Sequence, residues 1–125
     1  MVASELIKML GQRVGVDSLS LDTGECAISF DGDEIYFTYA ENILFAVADL
    51  GDEINDEKVF ETLLAANFKG LFTSGAIIGL DAERGCFTLS LLFEDECEYD
   101  FFENKLAEFV KTLRMLKQFL AEKRS

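Results

Sequence analysis

Apolar residues recur at helical spacing at the start of the chain, where Leu6, Ile7 and Leu10 follow Ser4 and Glu5. That pattern predicts a short helix opened by a Ser cap and closed at Gly11. A helix of this length is marginal in water, so its apolar face must rest on a sheet or on a partner. From Glu25 to Leu50 the spacing falls to two. Cys26, Ile28 and Phe30 alternate with Ala27 and Ser29, and Ile35, Phe37 and Tyr39 alternate with Tyr36 and Thr38, which predicts two strands. Asp31-Gly32 between them tolerates the positive φ of a tight hairpin. Glu41-Asn42 then turns the chain into a third strand at about Ile43 to Ala48, completing an antiparallel meander.

A polar loop from Gly51 to Asn55 leads to Asp56, a suitable cap for a helix carrying Val59, Phe60, Leu63, Leu64 and Ala66, with Asn67 and Gly70 as its stop. This helix is apolar on more than one side. A surface helix shows one stripe, so this one is expected to be covered twice, by its own sheet and by something more. A second hairpin joins Ala76–Leu80 to Phe87–Phe93, with Gly85 suited to a left-handed position in the turn. The acid run from Glu94 to Asp100 must be solvated. Asp100 and Glu103 then signal the start of a last helix, in which Phe102, Leu106, Phe109, Leu113, Leu116 and Leu120 form one stripe. At about 22 residues it would span about 33 Å, enough to cross a sheet, with Lys117, Lys123 and Arg124 placed to suit its dipole. The predicted order is α-β-β-β-α-β-β-α: an α+β fold with a five-stranded antiparallel sheet and packed helices, forming a single domain over residues 1–125.

Composition sharpens this picture. Half of the 125 residues are hydrophobic, twelve are Phe, and the net charge is −13. Disordered acidic chains lack such apolar content, so the chain folds and can still carry apolar surface. With 24 acids against 11 bases, binding to nucleic acid or to an anionic membrane is disfavoured, because both require Lys and Arg to replace counterions or meet headgroups. No apolar run approaches a membrane span, and the first residues lack the basic start and long apolar stretch of a signal peptide. A soluble cytoplasmic protein is expected.

Candidate chemistry is sparse. The chain has no His, which leaves carboxylates, Cys, Lys and Tyr for acid–base work. Cys26, Cys86 and Cys97 form no CxxC pair and have no His partner, so they read as reduced thiols. Asp31-Gly32-Asp33-Glu34 lacks the spacing of a calcium loop. Gly70, Gly75 and Gly79 have no following Lys-Ser/Thr and form no phosphate loop. No catalytic residue, metal or cofactor is assigned, and binding rather than catalysis is expected.

The phrases Leu63-Leu64-Ala65-Ala66-Asn67-Phe68, Thr73-Ser74-Gly75-Ala76 and Ile78-Gly79-Leu80-Asp81 through Gly85 resemble the Tir chaperone (CesT) family of bacterial type III secretion chaperones. The resemblance implies a homodimer that binds the unfolded N-terminal segment of a secreted effector protein without ATP, keeping it soluble and ready for export. It also implies pairing through the second helix, with Phe60, Leu64, Phe68 and Phe72 as dimer candidates. Effector segments in that family lay helices into apolar grooves and add a strand to the sheet. The residues to expect at such sites here are Leu6, Ile7 and Leu10 beside Ile28 and Phe30, together with Leu89, Leu91 and Phe93. All twelve also fit ordinary core packing. A cytosolic adaptor of the same fold, without a secreted cargo, is the alternative, and an unrecognised carboxylate or thiol enzyme is the third.

Overall fold

A computed structural model describes residues 1–94 and 96–125. The elements run α1 (Ala3–Val14), β1 (Glu25–Phe30), β2 (Asp33–Ala40), β3 (Ile43–Asp52), α2 (Glu57–Asn67), a 3-10 turn (Phe68–Gly70), β4 (Ile77–Asp81), β5 (Cys86–Glu94) and α3 (Tyr99–Arg124). The expected order and sheet are present. The five strands lie β1-β2-β3-β5-β4, every pair antiparallel. Both meander turns have two residues at positive φ, Asp31 and Gly32 in the first and Glu41 and Asn42 in the second, the geometry that matches strand twist.

Period-two burial explains why the sheet has one covered face. Ile28, Ile35, Phe37, Leu44, Ala46, Ala48, Leu89, Leu91 and Phe93 are buried, while their alternates stay wholly or partly accessible. Cross-strand partners such as Phe37 and Ala46, or Leu44 and Phe93, point the same way, so a single slip of register would expose the whole set. The α3 stripe of Phe102, Leu106, Phe109, Leu113, Leu116 and Leu120 lies against this face. Phe102 sits among Phe93, Tyr99 and Phe37 with ring centroids at 4.8, 6.0 and 6.3 Å. Small side chains at Ala46 and Ala48 leave room for the helix to approach β3.

Several boundaries differ from expectation, each for a local reason. α1 starts at Ala3 with no side-chain cap, and it runs through Gly11 to a left-handed Gly15 at φ 81°. Gly11 is needed for space rather than as a stop: a Cβ there would lie 2.5 Å from the Val16 carbonyl oxygen, and the Gly11 carbonyl accepts from Val16 N–H at 2.7 Å. β3 continues to Asp52 through a bulge between Asp49 and Gly51, so the loop is shorter than the polar residues suggest. Asp56 does cap α2, accepting from Lys58 N–H and Val59 N–H. α3 begins at Tyr99 and runs for 26 residues, with Glu98 at its N-cap position. Asp100 and Glu103 therefore lie inside the helix, and Glu103 accepts from the Tyr99 hydroxyl at 3.3 Å. In the acid run, Glu94, Glu96, Glu98 and Asp100 are exposed, while Asp95 lies outside the described residues. Among the described residues no helix is long and apolar enough to cross a membrane.

Candidate functional site

Two surfaces stand out, one at each edge of the sheet. At the β4 edge, α2 buries only Val59 and Leu63. Phe60 packs edge-on to Phe87 at 6.0 Å, but Leu64, Phe68, Leu71 and Phe72 are 65–72% exposed. The expected second cover of α2 is thus an apolar face left bare. Beside it a cleft of about 220 Å³ is lined by Phe60, Leu63, Leu64, Asn67, Ile78, Gly79, Leu80 and Phe87. Asn67 closes the end of α2 onto the strand: its amide Nδ2 donates to the Ile78 carbonyl and its Oδ1 accepts from Ile78 N–H, both at 2.7 Å. One side chain therefore satisfies the outward peptide groups of Ile78 as a neighbouring strand would.

At the other edge, β1 has no second neighbouring strand among the described residues. The Tyr39 N–H bond to the Gly24 carbonyl fixes the phase of the ladder. By alternation Cys26, Ile28 and Phe30 bond to β2, while Glu25, Ala27 and Ser29 turn their peptide groups outward. Behind this strand a groove of about 370 Å³ runs between α1, the β1–β2 hairpin and α3, lined by residues that include Leu10, Val14, Phe30, Leu106, Val110 and Arg114. Arg114 donates to Asp33 Oδ2 at 2.9 Å and Lys117 donates to Asp33 Oδ1 at 2.8 Å. These two bonds, Lys117 first, hold the Asp33 carboxyl below the usual carboxylate range, and they pin the hairpin to α3. On the open face of the sheet Arg84 clamps Asp49 and Asp81, lowering the pKa of both acids.

The candidate residues from the sequence fall into two groups. Leu6, Ile7, Leu10, Ile28, Leu89, Leu91 and Phe93 are at most 8% exposed. They form the chain's own core because they point toward the helices, and of the eight residues expected at an effector site Leu10 and the partly buried Phe30 also line the groove behind β1. Phe60, Leu64, Phe68 and Phe72 run along α2 and into the turn after it, with Phe60 partly buried and the other three bare. Sequence reasoning missed Leu71, Leu80 and the strand-blocking part of Asn67. Periodicity carries no signal for a side chain that imitates a peptide group, although an Asn ending a doubly apolar helix was visible. Burial raises the pKa of the Cys26 and Cys97 thiols, which opposes thiolate chemistry there. Among the described residues no group of Cys, Asp or Glu is placed to hold a metal ion.

One helix-covered sheet face, a bare apolar helix end and, among the described residues, one unpaired strand edge define a class of small α+β protein. The chain belongs to the Tir chaperone protein (CesT) family, whose model matches residues 5–117. Its fold is similar to that of a chain in the ExsC–ExsE complex, with a TM-score of 0.77 at 20% identity over 94% of this chain and 96% of that one. A chain of the HopA1–SchA chaperone–effector complex gives 0.75 at 18% identity, covering 91% of each. A chain of the heterodimeric ExoU–SpcU complex from the type III secretion system of Pseudomonas aeruginosa gives 0.68 at 18% identity, covering 94% and 93%. No curated protein matches the chain by sequence.

Proposed function

We propose that the chain acts as one folding unit and as a homodimeric, ATP-independent secretion chaperone, holding an extended N-terminal segment of a type III effector in a soluble, export-competent state. Family membership and solved chaperone–effector relatives support the reading. The observation that carries it is the apolar surface left bare at Leu64, Phe68, Leu71 and Phe72 on a chain of net charge −13.

A soluble acidic protein keeps such a patch when something covers it. Hiding each of these side chains gains roughly 1–2 kcal/mol. Two copies related by a two-fold axis would hide eight, on the order of 10 kcal/mol, which is comparable with the estimated 4–15 kcal/mol cost of association. The β1 edge and its groove then remain for cargo, where backbone pairing supplies affinity and the apolar groove selects side chains.

Sedimentation tests the dimer. The expected mass is about 28 kDa, twice the 14.0 kDa of one chain, and Leu64→Glu with Phe72→Glu should return it to one chain with little loss of helical signal. Co-expression with a secreted protein from the same genome tests the cargo. A partner held through a protease-sensitive N-terminal segment, without nucleotide, supports the reading, whereas a partner held through a folded, protease-resistant region points to the adaptor instead.

A further inference from the structure

The acidity of this protein is concentrated in one part of the chain. Residues 14–57 contain 12 of the 24 acids and none of the 11 bases, so they contribute −12 of the net −13, while the remaining 12 acids nearly balance the 11 bases. That stretch builds β1, β2 and β3. Among the described residues, ion pairs from elsewhere reach it at three acids: Asp31 through Arg114, Asp33 through Arg114 and Lys117, and Asp49 through Arg84. Asp22, Glu25, Glu34 and Glu41 are exposed and form no ion pair among the described residues.

This anionic region contains the open edge. β1 pairs with β2 in unbroken register, and it has no Lys, Pro or bulge, the usual devices against strand addition. The outer-face side chains of its outward-bonding residues are Glu25, Ala27 and Ser29, all exposed. Each begins a row across the sheet. Ala27 lies opposite Tyr36, which is followed by Val47, Ser90 and Ile77. Glu25 lies opposite Thr38, followed by Phe45 and Leu92, and Ser29 lies opposite Glu34. Ala27 is thus a low point beside the half-exposed Tyr36, with Glu25 two residues before it on β1 and Glu34 on β2 across from Ser29, two residues after it.

We propose that the outer edge of β1 is a subsite for an extended segment that carries a large apolar residue opposite Ala27 and Lys or Arg two positions before and after it. The pattern reads the same in both chain directions, so parallel and antiparallel addition require the same side chains. The two intervening residues point to the helix side, toward Cys26, Ile28 and Phe30, and are apolar. Charge complementarity selects this occupant: Glu25 on the edge strand and Glu34 on the strand beside it offer carboxylates, and the three strands carry no base. The proposal rests on the effector-binding reading and adds the chemistry of the bound segment to it.

The test uses three labelled peptides, soluble at their ends, with central Lys-Leu-Phe-Leu-Lys, Gln-Leu-Phe-Leu-Gln or Glu-Leu-Phe-Leu-Glu. Anisotropy should show the Lys peptide binding the full chain about tenfold more tightly than the Gln peptide, since each exposed pair gives roughly two- to five-fold. The preference should fade as added salt shortens the Debye length from about 30 Å to about 3 Å. Hydrogen exchange should slow at the Ala27 and Ser29 amides when the Lys peptide binds. Glu25→Lys with Glu34→Lys should transfer the preference to the Glu peptide, whereas the equal charge change Glu108→Lys with Glu122→Lys on α3 should leave it in place. Equal affinity for the Lys and Gln peptides, or a preference that follows net charge in both double variants, overturns the proposal and leaves the chaperone reading standing. Binding without protection at Ala27 and Ser29 overturns it in the same way. If no peptide binds, and the chain also fails to hold a secreted partner, both readings fall together.

Discussion

The two edges of this sheet solve the same physical problem in opposite ways. An edge strand presents unpaired peptide groups, which recruit other chains unless they are guarded. β4 is guarded: it has five residues, and Asn67 occupies both outward groups of Ile78. β1 is one residue longer and has no comparable guard among the described residues. The surroundings differ as well. β4 lies under the bare apolar end of α2, whereas β1 lies in the part of the chain that has no base. An apolar surface whose strand edge is blocked suits a second copy that meets it through side chains. An anionic surface whose strand edge is open suits a segment that meets it through backbone. In the proposed function, the amide of Asn67 separates these two modes of contact.

Proline substitutions probe the open edge most severely. Ile28 donates its N–H to β2 and is buried, so Ile28→Pro removes a ladder bond and a core side chain together. The expected loss is about 4 kcal/mol or more, read as a large drop in the urea midpoint. Ala27, one residue earlier, turns its N–H outward. Ala27→Pro should change stability by under about 1 kcal/mol yet abolish peptide protection at this edge. Similar losses for the two variants would mean that the phase of the ladder is wrong and the edge is not open where described.

The guarded edge gives the next effect. Asn67→Ala leaves the Ile78 N–H and carbonyl without their partner, for an expected loss of about 2–6 kcal/mol at 1–3 kcal/mol per orphaned group. Exchange at the Ile78 amide should accelerate by more than that at Leu89, its partner in β5. Asn67→Asp retains an acceptor and loses the donor, so it should fall between Asn67→Ala and the parent. Were Asn67→Ala neutral, β4 would be guarded by the position of α2 alone.

The contrast between the edges was only half legible in the sequence. Period-two alternation, the Asp31-Gly32 turn and the α3 stripe revealed the sheet, its covered face and the long helix, because burial on one face imposes its period directly on residue type. The excess apolarity of α2 likewise announced Leu64, Phe68 and Phe72, which no core could absorb. What stayed hidden depends on which way a group turns rather than on what it is. Leu6, Leu89 and Leu91 look the same in sequence whether they line a groove or fill a core, and here they fill the core. The stop at Gly11 failed for a related reason: a helical Gly kept for close approach of the Val16 carbonyl is indistinguishable in sequence from one kept for a left-handed turn. Strand order, which makes β1 and β4 the edges, follows from long-range pairing that no local pattern encodes.

The smallest effect concerns how the anionic edge is attached to the helices. Asp33 is the first residue of β2 after the hairpin turn and accepts from Lys117 and Arg114 on α3. These bonds lower its folded pKa relative to the unfolded value near 3.9. A depressed carboxyl stabilises the fold at every pH above that unfolded value, and the contribution disappears as pH falls through the lower, folded value. Asp33→Asn should therefore lower the urea midpoint modestly at pH 7, and the gap to the parent should close as pH falls below about 4. Because the pair is partly exposed, added salt should narrow the gap at pH 7 as well. A gap that stays constant from neutral to acid pH would show that the amide, rather than the lost charge, disturbs the hairpin, and that the groove wall at Phe30 is held by packing instead of by this ion pair.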